Sequence, residues 1–64
     1  MQLTPAEQRL LPLLSTHLTV PEIADATTLS AHTVRTQVKS IYQKLGAVKR
    51  SQAISLAREA GLLP

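Results

Sequence analysis

Sixty-four residues with seven Lys or Arg, four Asp or Glu and no cysteine make one small basic domain of net charge +3. At that size only about 60% of the unfolded chain's surface is buried on folding, and without cysteine neither a disulfide framework nor a thiolate metal site can staple it. The longest apolar run, Leu10 to Leu14 broken by Pro12, is far short of the roughly 20 residues of a membrane span, and no signal-peptide pattern opens the chain, so the expectation is a soluble cytoplasmic domain excised from something longer.

Met1 to Leu3 is a lead-in. Thr4-Pro5-Ala6-Glu7 reads as a capping box with proline at the first helical position. Thr4 accepts the Glu7 amide, Glu7 reaches back to Thr4, and proline gives up a donor that a helix start leaves orphaned anyway. A helix is expected from Pro5 to about residue 16, with Ala6, Leu10, Leu13 and Leu14 as its buried stripe and Leu11 turned toward a neighbouring helix. Pro12 removes the bond to the Gln8 carbonyl at a cost of about 3 kcal/mol, so the helix should kink there or hold that carbonyl on its solvent side.

Thr19-Val20-Pro21-Glu22 repeats the same grammar and opens a short helix to about Ala26, with Ile23 as its main core contact. Thr27-Thr28-Leu29 is the turn that follows, pinned to the core by Leu29. Ser30 caps a third helix that runs to Leu45 and closes at Gly46 in the left-handed conformation. Ala47 to Arg50 is a loop. A fourth helix, from about Ser51 to Ala60, carries Ala53, Leu56, Ala57 and Ala60 on one stripe and stops at Gly61, after which Leu62 and Leu63 fold back.

The third helix has two faces: Val34, Val38, Ile41 and Leu45 on one, His32, Arg35, Thr36, Lys39 and Gln43 on the other. Every charged residue from Ser30 to Arg50 is basic, so this third of the chain carries +5 while the remainder sums to −2. The natural partner of such a pole is a polyanion. A short helix, a tight turn and a longer helix with a basic outer face is the helix-turn-helix arrangement, here about residues 19 to 38, whose second helix enters the major groove of DNA. Arg35 and Lys39 can reach guanine O6 and N7 from one line, and the methyl of Thr36 can meet a thymine methyl. Thr33, Gln37, Ser40 and Lys44 lie on a flank that would meet phosphate, as would Ser30 at the helix start.

Leu3-Thr4-Pro5, Glu7, Glu22-Ile23-Ala24, Ser30, Thr33-Val34-Arg35-Thr36, Val38, Lys44-Leu45-Gly46, Arg50 and Gln52-Ala53 together resemble the C-terminal DNA-binding domain of the LuxR-type transcription regulators. The resemblance covers essentially the whole chain. It implies an all-α fold, the four-helix LuxR/GerE-type helix-turn-helix domain, acting as the output domain of a larger bacterial regulator that binds double-stranded DNA sequence-specifically. The ending, Ile41 to Gly46 with Ala57 to Leu63, is most similar to the large ATP-dependent, MalT-like branch. Lys49 and Arg50 join the phosphate candidates, Arg50 foremost because the resemblance holds it at a fixed spacing after Gly46. Many relatives carry a histidine at the position of Gln37, so glutamine takes that phosphate-side role here. Where the family has glycine after the first helix, this chain has His17, which must turn left-handed or shift the turn.

His17 and His32 are too far apart, and too short of Cys or acidic neighbours, to form a metal site, and each reads as a surface or capping histidine. Ile54, beside the stripe of the fourth helix, and Arg58 are candidate contacts of a weak homodimer formed on DNA. RNA polymerase is a candidate partner; no cofactor or small-molecule ligand is expected. There is no nucleophile and base arrangement, no glycine-rich phosphate loop and no usable carboxylate pair, so an enzyme is not expected. The alternatives are a small helical protein-interaction module and a sigma-type promoter-reading domain.

Overall fold

Three of the four helices begin where a hydroxyl accepts an amide of the first turn. In a computed structural model describing residues 2–64, these helices are α1 (Pro5–Leu14), α2 (Val20–Thr27) and α3 (Ala31–Leu45), followed by α4 (Arg50–Glu59). No strand occurs among the described residues. Both expected capping boxes form: Thr4 Oγ1 accepts the Glu7 amide while Glu7 Oε1 accepts that of Thr4 at 2.8 Å, and Thr19 and Glu22 do the same. The Glu22 carboxyl is held below its ordinary value by the Thr19 amide and then by the Thr19 hydroxyl. Ser30 Oγ takes the Thr33 amide at 3.1 Å. The exception is α4, whose N-cap is Lys49 with no side-chain hydrogen bond; Gln52 Oε1 instead reaches back to the Val48 amide at 2.8 Å.

The helix ends fall into two kinds. At the ends of α2, α3 and α4 a residue in the left-handed conformation is followed by an amide that reaches back five residues: Leu29 to the Ala24 carbonyl, Ala47 to Tyr42 and Leu62 to Ala57, at 2.8 to 3.0 Å. This is the Schellman ending, which satisfies carbonyls that a helix terminus leaves open. Gly46 and Gly61 fill the left-handed position twice, both at φ 76, but after α2 it is held by Thr28 at φ 57. A left-handed backbone costs a residue with a Cβ about 1–2 kcal/mol. The third residue of that turn, Leu29, is 39% exposed, so it does not pin the turn to the core as expected; the backbone bonds do.

α1 ends otherwise. His17 has no positive φ, and the helix stops at Leu14, two residues short of expectation, where the hydroxyls of Ser15 and Thr16 donate to the carbonyls of Pro12 and Leu13. The chain shifts its turn instead of twisting it. α1 is assigned continuously through Pro12, and Pro12 and Gln8 are both exposed, so the carbonyl that proline leaves unpartnered lies on the water side.

α3 is the hub, packing against α1, α2 and α4. Leu10, Leu11 and Leu14 of α1, Ile23 of α2, Val34 and Ile41 of α3 and Ala57 of α4 are fully enclosed, and Leu3 and Leu63 close the core from the two ends of the chain. Leu62, by contrast, is exposed. Ile54 is 9% exposed and belongs to this core, which corrects its reading as a surface residue. The 100° periodicity places it beside Ala53 and Ala57, and the apolar arc of α4 is wide enough to take it in. The resulting body measures 28 × 21 × 20 Å.

Candidate nucleic-acid interface

The exposed residues of α3 are His32, Arg35, Thr36, Lys39 and Gln43, the five that the periodicity sets opposite Val34 and Ile41. Capping by Ser30 fixes where the helix starts and the hub packing fixes which way it rolls, so the face is presented by a rigid element. The three base-reading candidates, Arg35, Thr36 and Lys39, all stand on it. Neither Arg35 nor Lys39 enters an ion pair among the described residues. Thr36 Oγ1 donates to the His32 carbonyl at 3.0 Å, which spends its hydroxyl hydrogen inside the helix.

The seven phosphate candidates divide. Ser30 donates its hydroxyl to Thr33 Oγ1 at 2.9 Å while capping the helix, which leaves the hydroxyl hydrogen of Thr33 uncommitted. Gln37 is half-buried, beside Arg9 and Leu29 along a groove of about 320 Å³ between α1 and the α2–α3 turn. Lys49 is exposed at the uncapped start of α4.

The remaining three are turned inward. Lys44 Nζ lies 2.7 Å from Oε1 of Glu7, a carboxylate only 4% exposed. That contact, then a hydrogen bond from Ser40 and a smaller one from the Thr4 amide, holds the Glu7 carboxyl at about 2 against the opposing effect of burial. Lys44 therefore serves the joint between α1 and α3, and Ser40 is half-buried on the same helix. Arg50 Nε donates to the Leu14 carbonyl at 2.9 Å, and Nη2 donates to those of Thr16 at 2.9 Å and Leu13 at 3.4 Å. It caps α1, the one helix here without a left-handed ending. Tyr42 lies half-buried, its hydroxyl raised by burial with the Arg50 charge working the other way. On α4, Arg58 is exposed, but its expected partner in a dimer contact, Ile54, is in the core.

Glu7 is the residue whose second role the sequence hid. Its box with Thr4 was legible, but nothing local marks a carboxylate that also meets a lysine 37 residues away.

A basic helix face, held by a short helix, a turn and three packed neighbours, is the geometry of a groove-reading domain. The family profile of bacterial regulatory proteins of the luxR family, GerE type, matches residues 1–57. The chain belongs to the luxR family. This luxR-family domain is also similar to the crystal structure of the response regulator ChrA of a haem-sensing two-component system, with 33% identity and a TM-score of 0.93. The likeness covers 98% of this chain and 31% of that one, so the domain spans about a third of the regulator it matches. No curated protein matches it in sequence. None of these likenesses points to the ATP-dependent, MalT-like branch; the solved regulator is of the response-regulator kind. As a luxR-family helix-turn-helix domain the chain is a DNA-binding unit of transcription regulation. Among the described residues no three His, Cys, Asp or Glu side chains gather as a metal site, and no helix is long and apolar enough to cross a membrane.

Proposed function

We propose that this domain binds duplex DNA sequence-specifically with α3 in the major groove, as the output domain of a longer regulator. The observation that carries the reading is the acid-free exposed face of α3, where Arg35 and Lys39 stand without an ion-pair partner. The groove is about 12 Å wide and admits one helix, and a free guanidinium or ammonium there finds guanine O6 and N7. Arg35, Thr36 and Lys39 take the base edges. Ser30, Thr33, Gln37 and Lys49 take phosphates, and Lys49 sits where the open amides of α4 favour the same anion. Lys44 and Arg50 leave the contact set because their polar atoms already hold the fold together, while half-buried Ser40 stays a candidate.

Arg35→Ala and Lys39→Ala are expected to lose about 1 to 3 kcal/mol of discrimination between specific and random duplex. Binding should weaken with log salt at a slope of about 0.9 per phosphate neutralised. Fluorescence anisotropy on both duplexes across a salt series measures this. An Arg35→Ala variant that separates the two duplexes as well as its parent would remove α3 from the groove, and a salt-independent affinity would point to a protein-interaction module.

A further inference from the structure

We propose that His32 is a further groove-facing residue and that it makes DNA binding proton-linked, tightening as pH falls through the histidine range. The inference rests on the reading of α3 as the groove helix and adds a regulatory property to it.

The geometry comes from helix periodicity and exposure. At 100° per residue, His32, Thr36, Lys39 and Gln43 fall within about 60° of one another, and Arg35 lies about 60° to one side of His32. All five are exposed. His32 is thus nearer the middle of the outward face than Arg35 is. It is also the second residue of α3, and in helix-turn-helix proteins it is the N-terminal part of the recognition helix that meets base edges. Its ring has no hydrogen-bond partner among the described residues; the contact at this residue, from Thr36, is to its backbone carbonyl.

The electrostatic setting decides the sign. The first turns of α1 and α2 each hold an acid, Glu7 and Glu22, but that of α3 holds none. On its own helix His32 shares its face with Arg35 and Lys39. Across from α3, helix α2 carries Glu22 and Asp25, α1 carries Glu7 and Arg9, and α4 carries Arg50, Arg58 and Glu59. Glu7 is taken by Lys44 and Glu22 by the Thr19 amide, and no acid among the described residues comes within ion-pair range of His32. The strong negative charge that meets this ring is therefore the DNA's. An imidazolium has two diverging N–H donors, so that one can meet guanine N7 or O6 while the charge lies in the field of the flanking phosphates. DNA favours the protonated ring, so complex formation takes up a proton, and affinity rises as pH falls. The Glu7–Lys44 joint stays ionised throughout this window because Glu7 titrates near 2, so the fold does not change with it.

The experiment is anisotropy on the specific duplex at fixed ionic strength from pH 7.5 to 5.5, with far-ultraviolet circular dichroism as the check on folding. A several-fold gain in affinity at the acid end is expected. His32→Gln should flatten the profile, His32→Arg should flatten it at high affinity, and His17→Gln, in the exposed α1–α2 turn, should leave it as it was. A flat parent, or a pH dependence that survives His32→Gln or disappears with His17→Gln, overturns the proposal. Arg35→Ala separates it from the underlying reading: if that variant loses discrimination while the profile ignores His32, the groove reading stands and the proton link falls; if it loses nothing, both fall.

Discussion

At Glu7 a single carboxylate oxygen serves both the opening of α1 and the far end of α3, taking the Thr4 amide at 2.8 Å and Lys44 Nζ at 2.7 Å. The carboxyl is depressed from 4.5 to about 2, first by Lys44 and then by Ser40. A carboxylate with a lowered folded-state value contributes stability that is fully present above its unfolded value and is lost as pH falls through the folded one. The window here runs from about pH 5 down to about 2, and the contribution is on the order of 2–3 kcal/mol. That is a large part of what a 64-residue core can supply. Urea titrations of the parent at successive pH values should show this loss, and Glu7→Gln should be less stable at pH 7 with a shallower acid slope. A parent equally stable at pH 6 and pH 3 would show that the pair contributes nothing.

At the scale of elements, most helix ends were legible because the devices that set them are local: two capping boxes, the Ser30 cap and two glycines lie within four residues of the ends they set. What joins the elements was not. Lys44 and Arg50 belong to a run of five cations, and within such a run a cation that meets phosphate has the same sequence signature as one that meets a carbonyl or carboxylate of another helix. Ile54 was misread for a related reason, because one helix's periodicity shows where its apolar arc is centred and not how much of that arc its neighbours cover. The face of α3 escaped this ambiguity: its five outward residues are set by its own period and by packing on three sides. Arg50 tests the difference. Its fork holds three carbonyls at the end of α1, and a charged hydrogen bond contributes about 1.5–3 kcal/mol. Arg50→Ala is therefore expected to lower stability by about 2 kcal/mol, with Arg50→Lys recovering only part because an ammonium cannot span the fork. Thermal melts measure this. An unchanged melting temperature with affinity lost equally on every duplex would return Arg50 to the phosphate backbone.

For the whole molecule, the question is how so small a reader gains specificity. A single module of this kind buries on the order of 600–1,000 Å² on DNA and meets a few base pairs, too little for selective occupancy among competing sites. Two copies about a two-fold axis would double the readout and require inverted half-sites about one helical turn apart. The surface of the free domain gives little to assemble with. The exposed residues of α4 include Ser51, Gln52, Ser55, Arg58 and Glu59, all polar, and the large exposed apolar side chains among the described residues, Leu29, Val48 and Leu62, each follow a different helix. With Ile54 inside the core, Ile54→Asp would unfold the domain and cannot report on assembly; Arg58→Glu can, because Arg58 is exposed. The expected behaviour is a monomer in free solution at micromolar concentration that pairs weakly on DNA through α4. A longer regulator carrying this domain would then be expected to control occupancy by bringing two copies together and raising their effective concentration. Sedimentation of the free domain, binding across a series of half-site spacings and the cooperativity of Arg58→Glu measure it. A tight dimer without DNA, or an affinity indifferent both to spacing and to the Arg58 charge, would mean that each domain reads its site alone.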